Sequence, residues 1–191
     1  LKEFFESTQK KEDQMQIYDL LKKDHAKVKA LMRDLVSLTE KDEARRNKLI
    51  SDIRDALIPH SRAEESVLYN SLRTMDSTKA MAMHSYVEHL EAEALLRTLQ
   101  VAGKIDAGWK QTALRLQKAL DHHVAEEEGK LFSAAKQLFT DQEAEMMGEV
   151  FTEMKPEIKD EGLLGTTIDM LANLMPPRLS NAFRSSSQNA H

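Results

Sequence analysis

The chain contains no cysteine. That removes disulfides, thiolate nucleophiles, thiolate zinc sites and iron–sulfur ligation together. Proline and glycine are scarce, at 4 and 6 of 191 residues, so helix breakers and turn residues are few. No apolar run approaches the roughly 18 residues needed to span a bilayer. Acidic residues outnumber basic ones, 32 to 27, for a net charge of −5, whereas a nucleic-acid partner calls for a basic face. No signal peptide is visible, and the expected location is cytoplasmic. With 41% apolar and 31% charged residues, rich in Ala, Leu, Glu, Lys and Met, the composition predicts an all-α soluble domain with short appendages.

What the chain does have is a repeat. His60-Ser61-Arg62-Ala63-Glu64-Glu65-Ser66-Val67-Leu68-Tyr69 is matched by His123-Val124-Ala125-Glu126-Glu127-Glu128-Gly129-Lys130-Leu131-Phe132. Each copy has a histidine, a glutamate four places on, a second glutamate, a leucine and an aromatic. Upstream, Asp24-His25 and Glu88-His89 open matching segments; His25 and His89 lie 64 apart, and His60 and His123 lie 63 apart. A unit of helix bearing His, then helix bearing His-x-x-x-Glu, thus occurs twice. Positions i and i+4 share a helix face, so each His-x-x-x-Glu aims an imidazole and a carboxylate at one patch of space.

Apolar periodicity places four long helices. The first, over residues 15–39, carries Leu21, His25, Val28, Met32, Leu35 and Leu38 on one stripe. The second, over 43–73, carries Leu49, Ile53, Leu57, His60, Glu64, Val67 and Ser71, with Pro59 expected to kink or loosen it near Asp55. Asp76 and Ser77 read as a break and an N-cap. The third helix, over 78–101, turns Tyr86, His89, Glu93, Leu96 and Leu99 inward. The fourth, over 109–139, carries Trp109, Thr112, Leu116, Leu120, His123, Glu127, Leu131, Ala134 and Leu138. Short loops between long helices predict an up-down-up-down four-helix bundle.

The boundaries follow. Residues 1–13 form an N-terminal arm or short helix resting Phe4 and Phe5 on the bundle. Residues 14–155 form the bundle, including a fifth helix from Asp141 to Lys155 closed by Pro156. Residues 156–191 hold a short last helix, Thr166 to Met175, and a tail from Ser185. The apolar face of 168–175 suits packing on the bundle or on a second copy in a homodimer; basic residues for a membrane surface are lacking there.

A lone His-x-x-x-Glu is ordinarily a surface pair contributing a few tenths of a kcal/mol. Four imidazoles and two carboxylates on core stripes are a different matter. Burial costs several kcal/mol per charged group unless something pairs it, and those stripes carry no lysine or arginine. Two multivalent cations would neutralise Glu64 and Glu127 and use the lone pairs of His25, His60, His89 and His123. Imidazole plus carboxylate without thiolate suits iron or manganese, and also admits zinc. The ferritin-type Glu-x-x-His arrangement has the opposite order and spacing.

These residues resemble the hemerythrin-like, or HHE cation-binding, domain family. The resemblance covers 17–155 and rests on DHAKVKALM, IPHSRAEESVLY, VEHLEAEALL and DHHVAEEEGKLF. It implies a bundle around a non-heme di-iron centre: four terminal histidines, bridging Glu64 and Glu127, and an oxo or hydroxo group completing the bridge. It also implies small-molecule partners: dioxygen, nitric oxide or peroxide, bound or sensed. The alternatives are a peroxide-decomposing enzyme and an iron store or donor. Oxygen-carrying members have a fifth histidine that this chain lacks. His122 and His84 fall about 100° and 140° off the faces of His123 and His89 and read as surface or supporting groups, and His191 has no role. Glu93, four residues after His89, is a candidate fifth ligand from the third helix, against a pairing with Arg97.

Overall fold

The computed structural model describes residues 15–161. All regular structure there is helical. Helix α1 is Ile17–Ser37. Helix α2 runs Glu43–Glu64, continues through a π-helical turn at Glu65–Tyr69, and ends in Asn70–Leu72. Helix α3 is Asp76–Val101. Helix α4 runs Ala107–Glu126, a second π-helical turn at Glu127–Leu131, and Phe132–Leu138. Helix α5 is Asp141–Glu161.

Helices α1 to α4 form a ring of packed neighbours: α1 on α2, α2 on α3, α3 on α4, and α4 on α1. Helix α5 lies against α1 and α2. Two apolar clusters fill the ring. One joins Val28–Leu38 of α1 to Leu49–Leu57 of α2, Ala92–Leu99 of α3 and Trp109–Leu120 of α4. The other joins Ile17–Leu21 of α1, Val67–Leu72 of α2, Ala82 of α3, Leu131–Ala135 of α4 and the inner face of α5. Every ring helix passes from one cluster to the other across its histidine. The polar residues therefore form a layer clamped between two dry cores.

The expected stripes of α1 and α2 are buried throughout. Three local expectations need correction. Helix α2 continues unbroken past Pro59, which is buried; the irregular turn comes after Glu64 instead. Helix α5 runs through Pro156, because Ile158 beyond it is anchored in the core, 5% exposed. Helix α3 starts at Asp76, with Met75 in the capping position. The hydroxyl of Thr78 there donates to the Leu72 carbonyl at 2.7 Å, which ties the connection down. Further along, Ala134 and Leu138 of the α4 stripe are only half-buried, while Phe132, Ala135 and Phe139 are buried. The π turn holds an extra residue, which rotates everything after it by about one position. The expected arm with Phe4 and Phe5, the last helix, the 168–175 face and the tail lie outside the described residues.

Gly148 lets α5 close onto the start of α1. A Cβ there would collide with the Met15 carbonyl oxygen and crowd Leu20 Cδ1 at 3.1 Å and Ile17 N at 3.3 Å.

Candidate metal centre

The six residues marked by the repeat converge. His25, His60, Glu64, His89, His123 and Glu127 are each 4% exposed or less. Their donor atoms fall into two buried triads, His25–His60–Glu64 and Glu64–His89–His123. Glu64 belongs to both: its Oε2 stands 3.5 Å from His60 Nε2 and 3.5 Å from His89 Nε2. Glu127 spans the halves the other way, its Oε2 lying 3.2 Å from His25 Nε2 and 3.7 Å from His123 Nε2. Each carboxylate thus faces one histidine of each triad.

Four of these inward-facing atoms are left without hydrogen bonds. Both Glu64 oxygens, Glu127 Oε2 and His25 Nε2 are buried and unpartnered. Native interiors seldom tolerate such groups, since each costs about 1–3 kcal/mol. Lone pairs from imidazole and carboxylate aimed at shared points suit divalent or trivalent cations. The residues present fit a pair of metal ions.

The electrostatics agree. Burial, then the charge of Glu127, pushes the Glu64 carboxyl well above the usual range. Burial also raises Glu127, but the neighbouring His25 imidazole outweighs it and holds Glu127 low. Of the two carboxyls, Glu64 is thus the one whose protonated form burial favours. Burial brings His60 down to about 4 despite Asp24 beside it, and burial likewise lowers His89. His25 moves up: burial opposes this, but Glu127 and Glu128 prevail.

The repeat also marks four carboxylates outside the six, whose task sequence reasoning missed. Each holds the Nδ1 of one histidine. Asp24 on α1 meets His60 on α2 at 3.3 Å, and Glu65 on α2 meets His89 on α3 at 3.0 Å. Glu88 on α3 meets His123 on α4 at 2.9 Å, and Glu128 on α4 meets His25 on α1 at 2.8 Å. A carboxylate accepting from Nδ1–H fixes the tautomer and turns the Nε2 lone pair inward. The available signal was the acidic residue before His25 and His89, and the one after Glu64 and Glu127.

Tyr69 was missed as well. Its hydroxyl donates to Glu127 Oε1 at 2.9 Å and lies 3.4 Å from His89 Nε2. Phe132 stands at the matching place in the second half and packs on Tyr18 instead. Glu93 does not join the centre: Arg62 meets it at 2.5 Å and Arg97 at 2.8 Å. His84 and His122 sit on the surface, 57% and 62% exposed.

Two spaces adjoin the layer. A void of about 10 Å³ touches all four imidazoles and is otherwise walled by Val28, Lys29, Leu57, Leu120 and Val124. A cavity of about 260 Å³ reaches Glu127 from the α3–α4 side, past Met81, His84, Ser85, Glu126 and Lys130. No helix among the described residues is long and apolar enough to cross a membrane.

Comparison with known proteins agrees with this geometry. The chain is similar to a DNA nickase of Nostoc sp. (strain PCC 7120 / SAG 25.82 / UTEX 2576), 27% identical over 145 residues, which are 76% of this chain and 40% of that protein. The chain thus spans about two-fifths of that relative's length. No solved structure matches the chain. The family model of the Hemerythrin HHE cation binding domain matches residues 16–135, a span that takes in His25 through Glu127. The chain belongs to the hemerythrin HHE cation-binding domain family.

Proposed function

We propose that the chain is an up-down-up-down hemerythrin-like bundle. Its buried layer holds two iron ions through His25, His60, Glu64, His89, His123 and Glu127, and it binds or senses a small oxidant or gas. The observation that carries the reading is the void against the four imidazoles. At about 10 Å³, walled by the four imidazoles, Lys29 and four aliphatic side chains, it holds about one water-sized molecule. Dioxygen or nitric oxide suits such a place after slight side-chain movement, and an organic substrate does not. When bound, a pair of iron ions supplies reversible redox change and a coordination position for a small ligand.

The chain's own residues set the conditions. The two apolar clusters exclude water from above and below the layer, which strengthens electrostatic interactions inside it. Asp24, Glu65, Glu88 and Glu128 hold the imidazole protons outward at Nδ1. Tyr69 holds a proton against Glu127 Oε1 and fixes that carboxylate.

A second reading, decomposition of hydrogen peroxide, has one observation in its favour. The cavity of about 260 Å³ ends against Glu127, whose Oε1 accepts a hydrogen bond from the Tyr69 hydroxyl. DNA nicking, taken from the relative's name, fits less well with a net charge of −5.

Metal analysis tests the core of the reading, with two irons per chain expected from iron-replete cells. A single zinc held by other ligands would overturn it. Optical spectra after dioxygen, nitric oxide and peroxide in turn separate gas binding from turnover. Sustained peroxide consumption would favour the second reading, and strand cleavage of supercoiled plasmid would favour the relative's activity.

A further inference from the structure

Outside the buried layer, α3 and α4 carry another matched pair of motifs. His84 and Glu88 lie four apart on α3, and His122 and Glu126 lie four apart on α4. One ligand atom from each of the four falls within 4.8 Å of the others. We propose that His84, Glu88, His122 and Glu126 form a second, solvent-facing site for one divalent cation of the zinc or ferrous type.

The four groups face one another crosswise rather than as two separate ion pairs. His84 Nε2 stands 3.4 Å from Glu88 Oε1 and 3.5 Å from Glu126 Oε2. His122 Nε2 stands 3.7 Å from Glu88 Oε1 and 3.9 Å from Glu126 Oε2. A charge-assisted hydrogen bond would bring such atoms to about 2.7–2.9 Å. Four donors bound tetrahedrally at about 2.0–2.1 Å lie roughly 3.3–3.4 Å apart. The four histidine–carboxylate separations exceed that spacing by up to about 0.6 Å, and all four ligand atoms lie within 4.8 Å of one another. Two imidazoles with two carboxylates make a borderline donor set suited to zinc or ferrous iron.

Both carboxylates are already held by their other oxygen. Glu88 accepts from His123 Nδ1 on Oε2 at 2.9 Å, which leaves Oε1 to the two surface histidines. Glu126 takes Lys130 on Oε1 at 2.6 Å, which leaves Oε2 to the same two. Such outer partners orient ligands and lower the entropy lost on binding an ion. His84 and Glu126 also line the cavity whose far wall includes Glu127. The site therefore stands beside the cavity that ends against Glu127, and it shares Glu88 with the support of His123.

The test is a Co²⁺ titration, read by calorimetry and by visible absorption, into chain whose buried layer has first been filled with iron. One further equivalent is expected, with the strong visible bands of a four-coordinate ion. His84→Ala with His122→Ala should weaken that equivalent at least tenfold while leaving melting and helix content intact. Lys130→Ala, which frees a Glu126 oxygen, should retain it. No additional Co²⁺ in the iron-loaded protein, or an affinity unmoved by the double substitution, overturns the proposal. Glu64→Gln keeps this test independent of the buried centre. If the buried layer binds nothing, the surface equivalent should still appear in that variant and still depend on His84 and His122.

Discussion

Replacing Glu64 by methionine should change stability in opposite directions with and without metal. Glu64 is fully buried and neither of its oxygens has a hydrogen-bond partner. Burial, then the charge of Glu127, pushes its carboxyl well above the usual range when no ion is present, and the metal-free protein carries an unsatisfied polar group. Such a group costs about 1–3 kcal/mol. Methionine is unbranched and close in length, and it removes that cost without leaving a void. His60 and His89 lose little, because Asp24 and Glu65 still hold their Nδ1 atoms. The metal-free variant should therefore gain about 1–3 kcal/mol; at about 2–4 °C per kcal/mol for a domain of this size, that is several degrees in melting temperature. Loaded protein should behave the other way. An ion bound at a free concentration of 1,000 times its Kd stabilises by about 4 kcal/mol, and loss of a carboxylate shared by both triads forfeits most of that. Thermal melts in chelator and in excess ferrous or cobaltous ion, for wild type and Glu64→Met, give all four numbers. A metal-free variant less stable by about 3 kcal/mol or more would refute the reasoning, because that is the signature of breaking a satisfied buried pair.

Three further outcomes are expected. Gly148→Ala should destabilise by about 1–3 kcal/mol in urea unfolding, because the added methyl meets backbone at Met15 and the gain in helix propensity of about 1 kcal/mol offsets only part of it; an unchanged midpoint would show that α5 can shift without cost. Glu93→Ala should keep its full metal content while Glu127→Ala loses it, since Glu93 is committed to Arg62 and Arg97; iron per chain decides this. Asp24 is pulled up by burial but held down to about 2 by His60 and Lys155, so its ionised form contributes stability that is present above its usual 3.8 and lost as pH falls through about 2; denaturant melts across that window should show a shallower acid loss in Asp24→Asn.

The repeat and the α-helical period carried the sequence reading as far as the two glutamates. Up to Glu64 and Glu127 every residue expected inward on α2 is buried, and Thr112 alone on α4 is only half-buried. Beyond Glu127 the α4 stripe slips, and on α2 the unmarked Tyr69 joins the buried Val67 and Ser71; Tyr69 shows why. In an unbroken α-helix Tyr69 lies five residues, about 140°, from Glu64 and points away from it. The π turn at Glu65–Tyr69 absorbs one residue, roughly 100° of that rotation, and swings the phenol to within 2.9 Å of Glu127. Intrinsic propensity gives no warning of a π turn; it persists because the buried layer and the core beyond it are satisfied together. The same turn on α4 explains why Phe132 and Ala135 replaced Ala134 in the core.

The supporting carboxylates close a circuit that no single helix could reveal. Asp24 of α1 serves α2, Glu65 of α2 serves α3, Glu88 of α3 serves α4, and Glu128 of α4 serves α1. Each histidine is thus oriented by the helix before it in the ring, so the lone pairs are aimed only when all four helices are assembled. Metal affinity and bundle assembly become one property, and the stability gained from an ion is distributed over the whole ring. Charge points the same way. Four outer and two inner carboxylates surround the histidines, while the cations meeting them are Lys155 on Asp24 and Arg62 on Glu65. Two side-chain cations, one of them shared with Glu93, against six carboxylates leave an excess that bound multivalent cations would offset.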